Sequence, residues 1–344
     1  MTRLVTIQYL RAFAAIAVVI AHVGKQLHLP FNVGGGGVDL FFVISGFIMI
    51  AILRDETTPA GFMANRIKRI VPLYWMATTV MVLGTLAGLF PRLSIDPWHV
   101  VASYLFIPAQ LGGEGPIWPI LAPGWTLNYE MLFYALVALL LPLRRPALIA
   151  TALTLIFGTA IALGQWFRPT HPLLVAYSDA VTLEFVFGAW IAVWWRSGKW
   201  WPRSIGVPAI LLGILIATVL VTLQIALWRS IALGIPAALL VIGVLSLERQ
   251  GEVEREPISA FLGDASYSIY LWHGLAISVT AMIGRMLGMP LALTFAIAIV
   301  AGIVGGVSSY LIVERPLMRL FKRWPTMATP PENDAAASKS RLGG

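Results

Sequence analysis

The chain has 344 residues, 58% of them hydrophobic and only 12% charged, with a mean hydropathy of +0.83. Charged residues make up about a quarter of a soluble globular domain, so this composition excludes one and points to a multi-pass membrane protein. The formal charge of +8 would suit nucleic acid if it were clustered, and the absence of cysteine excludes disulfides, thiolate metal sites and a cysteine nucleophile.

Windows of about 20 apolar residues predict ten helices, near 4–23, 35–53, 70–90, 124–143, 147–166, 173–195, 205–226, 229–247, 264–284 and 289–313. The expected fold is an all-α, polytopic membrane bundle. An even number of spans puts both termini on one side. Eighteen of the 24 Lys and Arg residues fall on that side, five on the other, and Arg11 stays within the bilayer. By the positive-inside rule both termini are cytoplasmic, and the basic surplus is a topology signal with no nucleic-acid partner behind it. The expected organisation is one transmembrane domain over 1–320 and a polar, cytoplasmic, disordered tail over 321–344 rich in Pro, Ala and Ser.

The first span follows a short basic start, but no small-residue cleavage site follows it at Gly24-Lys25-Gln26-Leu27-His28, so it reads as a retained helix. It carries Arg11 and His22. Eleven steps of about 100° bring both side chains to one helix face, about 16 Å apart along the axis. A guanidinium near mid-bilayer costs about 2.5–3.5 kcal/mol, so a compensating functional cavity is expected around it. The second span opens with Gly34 to Gly37, which lack the Lys-Ser or Lys-Thr of a phosphate loop and read as a flexible turn. Asp39 follows near the outer face.

Before the third span stands Arg66-Ile67-Lys68-Arg69, whose two arginines share a helix face. Paired guanidiniums suit phosphate or pyrophosphate oxygens, although a plain positive-inside anchor would look the same. A loop of about 30 residues rich in Pro and Gly comes next, with Trp98 and Trp118. It reads either as a lid or re-entrant segment or as an interfacial loop with its tryptophans at headgroup depth. The fourth span enters as Gly124-Trp125-Thr126-Leu127-Asn128-Tyr129-Glu130, which gives His22, Asp39 and Glu130 one depth. A carboxylate on an imidazole fixes its tautomer, as a general base requires. Asp179 and Glu184 in the sixth span either line an acceptor path, neutralise Arg11 or lie near an interface. His273, within the ninth span, reads as a hydrogen-bonded packing residue, and His28, His99 and His171 as solvated loop residues. Ser45 lacks a Gly-x-Ser-x-Gly elbow, which argues against a hydrolase triad.

Six pieces in order carry a family resemblance. They are Ile7-Gln8-Tyr9-Leu10-Arg11 running to His22, Gly37-Val38-Asp39-Leu40-Phe41-Phe42, Arg66-Ile67-Lys68-Arg69, Trp125 to Tyr134, Ser266-Tyr267-Ser268-Ile269-Tyr270-Leu271-Trp272-His273, and Glu314-Arg315-Pro316. Together they resemble the acyltransferase-3 family of membrane acyltransferases over nearly the whole chain to about residue 316. The opening looks most like its exopolysaccharide O-acetyltransferase branch. Many relatives have glycine where Ala12 stands, a departure that touches helix packing.

The resemblance implies transfer of an acyl group, commonly acetyl, from cytoplasmic acyl-CoA to a hydroxyl of a carbohydrate or lipid-linked oligosaccharide. Acetyl-CoA is then a donor substrate, with no permanently bound cofactor and no metal. Arg11 and His22 match the family's Arg-x10-His catalytic pair, with Glu130 or Asp39 expected to orient the imidazole, and Arg66 and Arg69 match its donor-binding element. The implied setting is the inner (plasma) membrane, among membrane lipids and polysaccharide-assembly proteins. The alternative is a polysaccharide or sugar transporter with an intramembrane proton relay. A transporter needs no acyl-CoA, and neither an inverted repeat nor paired broken helices is evident in the sequence.

Overall fold

The computed structural model describes residues 4–29, 34–90, 95–113, 115–198, 201–223, 227–249 and 256–322. From residue 323 onward the expected disordered tail lies outside the described residues. Thirteen α-helices follow one another: α1 (Val5–Gln26), α2 (Gly37–Ala51), α3 (Pro59–Leu86), α4 (Pro97–Tyr104), α5 (Trp125–Leu140), α6 (Pro146–Phe167), α7 (Pro172–Tyr177), α8 (Leu183–Arg196), α9 (Arg203–Thr222), α10 (Ile235–Arg249), α11 (Pro257–Met286), α12 (Leu291–Ser309) and α13 (Arg315–Lys322). No strand occurs among the described residues. Among the described residues, seven helical stretches are long and apolar enough to cross a membrane, and α2 is a shorter apolar helix. The exterior is rich in exposed Leu, Ile and Trp, among them Leu139, Ile312 and Trp166, as lipid contact requires.

Punctuation in the sequence explains most boundaries. Pro59, Pro97, Pro146, Pro172 and Pro257 each sit in a first helical turn, where the missing N–H has no intrahelical partner to lose. Interior prolines act differently. A π-turn at Ser230–Gly234 leads into α10 and another at Tyr310–Glu314 joins α12 to α13, each ending two residues before a proline, Pro236 or Pro316. A proline ring clashes with the carbonyl one turn back, and one wider turn relieves it.

Two expectations are corrected. The sixth predicted span is not one helix: α7 stops at Tyr177, and Asp179 Oδ1 accepts from the Val181 N–H to start a new turn into α8. Asp179 is thus a capping residue. His99, read as solvated, is only 3% exposed. Its Nε2–H donates to the Trp118 carbonyl (2.7 Å), and Ser103, one turn later on α4, accepts from the Ile120 N–H (3.0 Å). The long loop is therefore folded down onto α4, which is itself tied to α3 by the Tyr74 hydroxyl on the Ser103 carbonyl (2.9 Å).

Close backbone crossings position the site helices. A Cβ added at Gly263 of α11 would fall 2.2 Å from the Gln8 carbonyl oxygen of α1, and one at Gly46 of α2 would fall 2.1 Å from the Phe185 carbonyl oxygen of α8. Only glycine permits such approach, the small-residue packing typical of membrane helices. Helix ends are satisfied by distant side chains. The Glu248 carboxylate accepts from the Val5 and Thr6 N–H groups and the Thr6 hydroxyl at the start of α1. Arg196 Nη1 donates to the carbonyls of Ala51 (3.0 Å) and Leu53 (2.6 Å) at the end of α2.

Candidate active site

Helices α1, α2, α3, α5 and α11 line a partly open cavity of about 130 Å³. Its lining on α2 runs from Val38 to Met49, eleven residues or about 16 Å of helix, so it is a slot along the bundle. Arg66 and Arg69 of α3 line one end, and Thr126 of α5 and Tyr270 of α11 line the other. Arg11 and Glu130 face the same space.

The charges inside the slot are arranged around Glu130. Arg11, Arg69 and Arg66 all act on it electrostatically, and Arg69 and Arg11 also act on Glu314. Glu130 Oε2 accepts from the Tyr134 hydroxyl (2.7 Å), which in turn meets Ser45 Oγ (3.0 Å), while Ser268 donates to Glu314 (2.6 Å). Arg11 Nη1 also meets Gln8 Oε1 at 3.4 Å. Three guanidiniums against two carboxylates leave the slot cationic. Arg66 is the least satisfied member: its Nε is buried with no hydrogen-bond partner, and its Nη1 has only the Met49 sulfur at 3.6 Å. A buried donor without a partner is costly, so a bound anion would stabilise this position.

His22 lies outside the slot. It is exposed on α1, toward the end opposite Arg66 and Arg69. Its Nδ1 lies 2.9 Å from the Val18 carbonyl. A carbonyl can only accept, so Nδ1 carries the hydrogen and, in the neutral ring, Nε2 presents a bare lone pair. That is the tautomer a general base needs. Next to it, ring centroids 4.7 Å apart and edge to face, sits His273 of α11, which is fully buried. The Tyr270 ring, 5.9 Å from His273 and 5.9 Å from Phe41, stands between this pair and the slot.

The carboxylates expected to orient His22 are held elsewhere. Asp39 is fully buried, and both its oxygens accept from Arg229, Oδ1 from Nε and Oδ2 from Nη2, each at 2.8 Å. Glu130 belongs to the slot. The Val18 backbone therefore does the work assigned to a carboxylate. Of the six expected site residues, Arg11, Arg66, Arg69 and Glu130 converge on one cavity, whereas His22 and Asp39 do not line it. Glu314 was expected to pair with a nearby arginine; Tyr134 and Ser45 were not anticipated as members of the cluster, although Tyr134 stands one turn from Glu130, a spacing that announces side-chain contact.

Comparison with known proteins agrees with this architecture. The family model Acyl_transf_3, described as an acyltransferase domain, matches residues 4–313. The exopolysaccharide production protein ExoZ of Rhizobium meliloti (strain 1021) is 43% identical over 302 residues, covering 88% of this chain and 95% of that protein. The acyltransferase MdmB of Streptomyces mycarofaciens is 27% identical over 375 residues, covering 96% and 95%, and nodulation protein 10 of Rhizobium leguminosarum bv. viciae is 25% identical over 316 residues, covering 80% and 83%. No solved structure matches the chain. With its apolar helices, its cationic slot and a family match over most of its length, the chain belongs to the Acyl_transf_3 family and is a multi-pass membrane acyltransferase.

Proposed function

We propose that the protein moves an acetyl group from cytoplasmic acetyl-CoA to a hydroxyl of an exopolysaccharide sugar or its lipid-linked precursor. In this reading ten helices cross the inner membrane and both termini are cytoplasmic. The observation that carries it is the slot: about 16 Å long, with an unsatisfied Arg66 at one end and Tyr270, backed by two histidines, at the other. The similarity to ExoZ supports an exopolysaccharide acceptor, and the family resemblance supports acetyl.

Donor phosphates engage Arg66 and Arg69 at the cytoplasmic mouth, and the pantetheine arm follows the slot past Arg11. The acceptor arrives from the opposite side, where His22 is exposed. His22 Nε2 takes the hydroxyl proton, the oxygen attacks the thioester carbonyl, the C–S bond breaks, and the thiolate leaves with the proton that His22 returns. A positioned base of this kind contributes about 10²–10⁴-fold. Arg11 stabilises the oxyanion as it develops. Tyr270 must turn aside for the reacting atoms to meet.

The test uses inside-out membrane vesicles supplied with acetyl-CoA labelled in its acetyl group. Wild type is expected to label saccharide material, while His22→Ala and Arg66→Ala do not. Donor binding by Arg66→Ala is expected to weaken about 10–100-fold, the loss of a charge-assisted contact. Wild-type vesicles that neither bind nor consume acetyl-CoA, with the polysaccharide pathway intact, would overturn the reading in favour of transport.

A further inference from the structure

We infer that His273 is the positioning partner of His22, a second imidazole of the reaction centre whose ring holds the base and shares the charge the base acquires. The inference rests on the assignment of His22 as general base. His273 is fully buried, and its Nδ1 lies 3.2 Å from the Ile269 carbonyl, one turn back on α11. The same argument that fixes the His22 tautomer puts the hydrogen on Nδ1 here too, which leaves Nε2 with a lone pair. That Nε2 is buried and has no hydrogen-bond partner. An unmade hydrogen bond in the interior costs about 1–3 kcal/mol, so the bare Nε2 is a cost that its place beside His22 accounts for. An unpaired, buried lone pair beside an exposed imidazole, ring centroids 4.7 Å apart, is placed to stabilise the positive charge that ring acquires.

The surroundings leave His273 this role. Among the described residues, the other titratable groups facing the pair are Lys25, one turn beyond His22 on α1 and acting on it electrostatically, and Tyr270 on α11, whose hydroxyl is committed to the Pro123 carbonyl (2.9 Å) and Thr126 (3.0 Å). From α12, Gly302 stands against the His273 Cβ, and Phe41 of α2 meets Tyr270. No carboxylate is among them, since Asp39 is held by Arg229 and Glu130 lies in the slot. When Nε2 of His22 takes the acceptor proton, the charge therefore forms beside a neutral, polarisable ring that is itself anchored. The proton stays on His22 and goes to the leaving thiolate, so no atom is transferred to His273. The glycine crossing of α1 on α11 at Gly263 holds the two helices in this register.

The experiment compares acetyl transfer by wild type, His22→Ala, His273→Leu, His273→Phe and His273→Gln, with kcat, donor KM and the pH–rate profile measured on detergent-purified full-length protein. Leu and Phe remove the acceptor, and Gln restores one. The expected result is that the apolar variants lose about 10–100-fold in kcat with donor KM within about two-fold, that the acid limb of their profile moves, and that Gln recovers most of both. Leu or Phe variants with wild-type kcat and a superimposable profile would overturn the inference, as would a Gln variant no better than the apolar ones. If His22→Ala itself retains activity, the base assignment falls first. If His22→Ala is inactive while the His273 variants behave as wild type, only the present inference falls. Two apolar variants of different shape are included so that one that fails to accumulate leaves the other to decide.

Discussion

Replacing Gly263 by alanine puts one methyl group between α11 and the α1 backbone. The added Cβ would fall 2.2 Å from the Gln8 carbonyl oxygen, against 3.4 Å for an ordinary contact, so the two helices must separate by about 1.2 Å. The obstacle is backbone, which no rotamer change relieves. Overpacking of this kind costs about 1–3 kcal/mol. The functional effect is expected to exceed the stability effect, because Arg11 and His22 ride on α1 while Tyr270 and His273 ride on α11. A misplacement near 1 Å costs about 10²-fold in rate. Gly274→Ala is the matched control: it lies on the same helix, and its Cβ would meet nothing within 4 Å. There, higher helix propensity is expected to leave stability unchanged or raised by up to about 1 kcal/mol. The assays are thermal unfolding in detergent and labelled-acetyl transfer in vesicles. Gly263→Ala with activity within about two-fold of Gly274→Ala would refute the argument that this crossing sets the site.

Three further outcomes are expected. Tyr134→Phe removes the donor to Glu130 and the partner of Ser45, so it should lower stability by about 1–3 kcal/mol and raise donor KM, checked by unfolding and by initial rates across acetyl-CoA concentrations. Asp39→Asn strips Arg229 of its buried counter-charge. Because Arg229 is 43% exposed, the loss should be about 2–3 kcal/mol, below the 3–5 kcal/mol typical of fully buried pairs, and an unchanged melting temperature would contradict it. Glu256 caps α11, and the backbone N–H of Ser259, with that of Ile258, holds its carboxyl below the ordinary value of 4.5. Its contribution is therefore fully present above about pH 4.5 and disappears as pH falls through the lowered value. The melting difference between wild type and Glu256→Gln should be flat from neutral pH down to about 5 and shrink below that.

The helical pattern was legible because apolar runs and first-turn prolines are local signals. Arg66 and Arg69, three residues apart on one helix, were legible as a pair for the same reason. Glu130 was assigned to His22 but meets Tyr134 and the slot arginines, since depth along a helix says nothing of the direction in which a side chain points. Asp39 was out of reach of any local argument: its partner, Arg229, lies 190 residues away in sequence and belongs to the turn before α10. His273 read as packing because burial and hydrogen bonding to its own helix look alike in both roles. Only its unpaired Nε2 beside His22 separates them. The break between α7 and α8 was hidden because the apolar runs on either side of Ser178-Asp179 together fill one span-length window.

The Tyr270 ring has a consequence for the membrane as an insulator. An enzyme that takes one substrate from each side is at risk of becoming a pore, and across 100 mV each elementary charge that slips through dissipates about 2.3 kcal/mol. Tyr270, braced by its hydroxyl on Pro123 and by its edge on Phe41, stands between the charged slot and the His22–His273 pair. On the proposed reaction, the aromatic layer that would separate a thioester from water would also keep the ion gradient intact between turnovers, and a small side chain at position 270 would trade acyl specificity and electrical tightness away together.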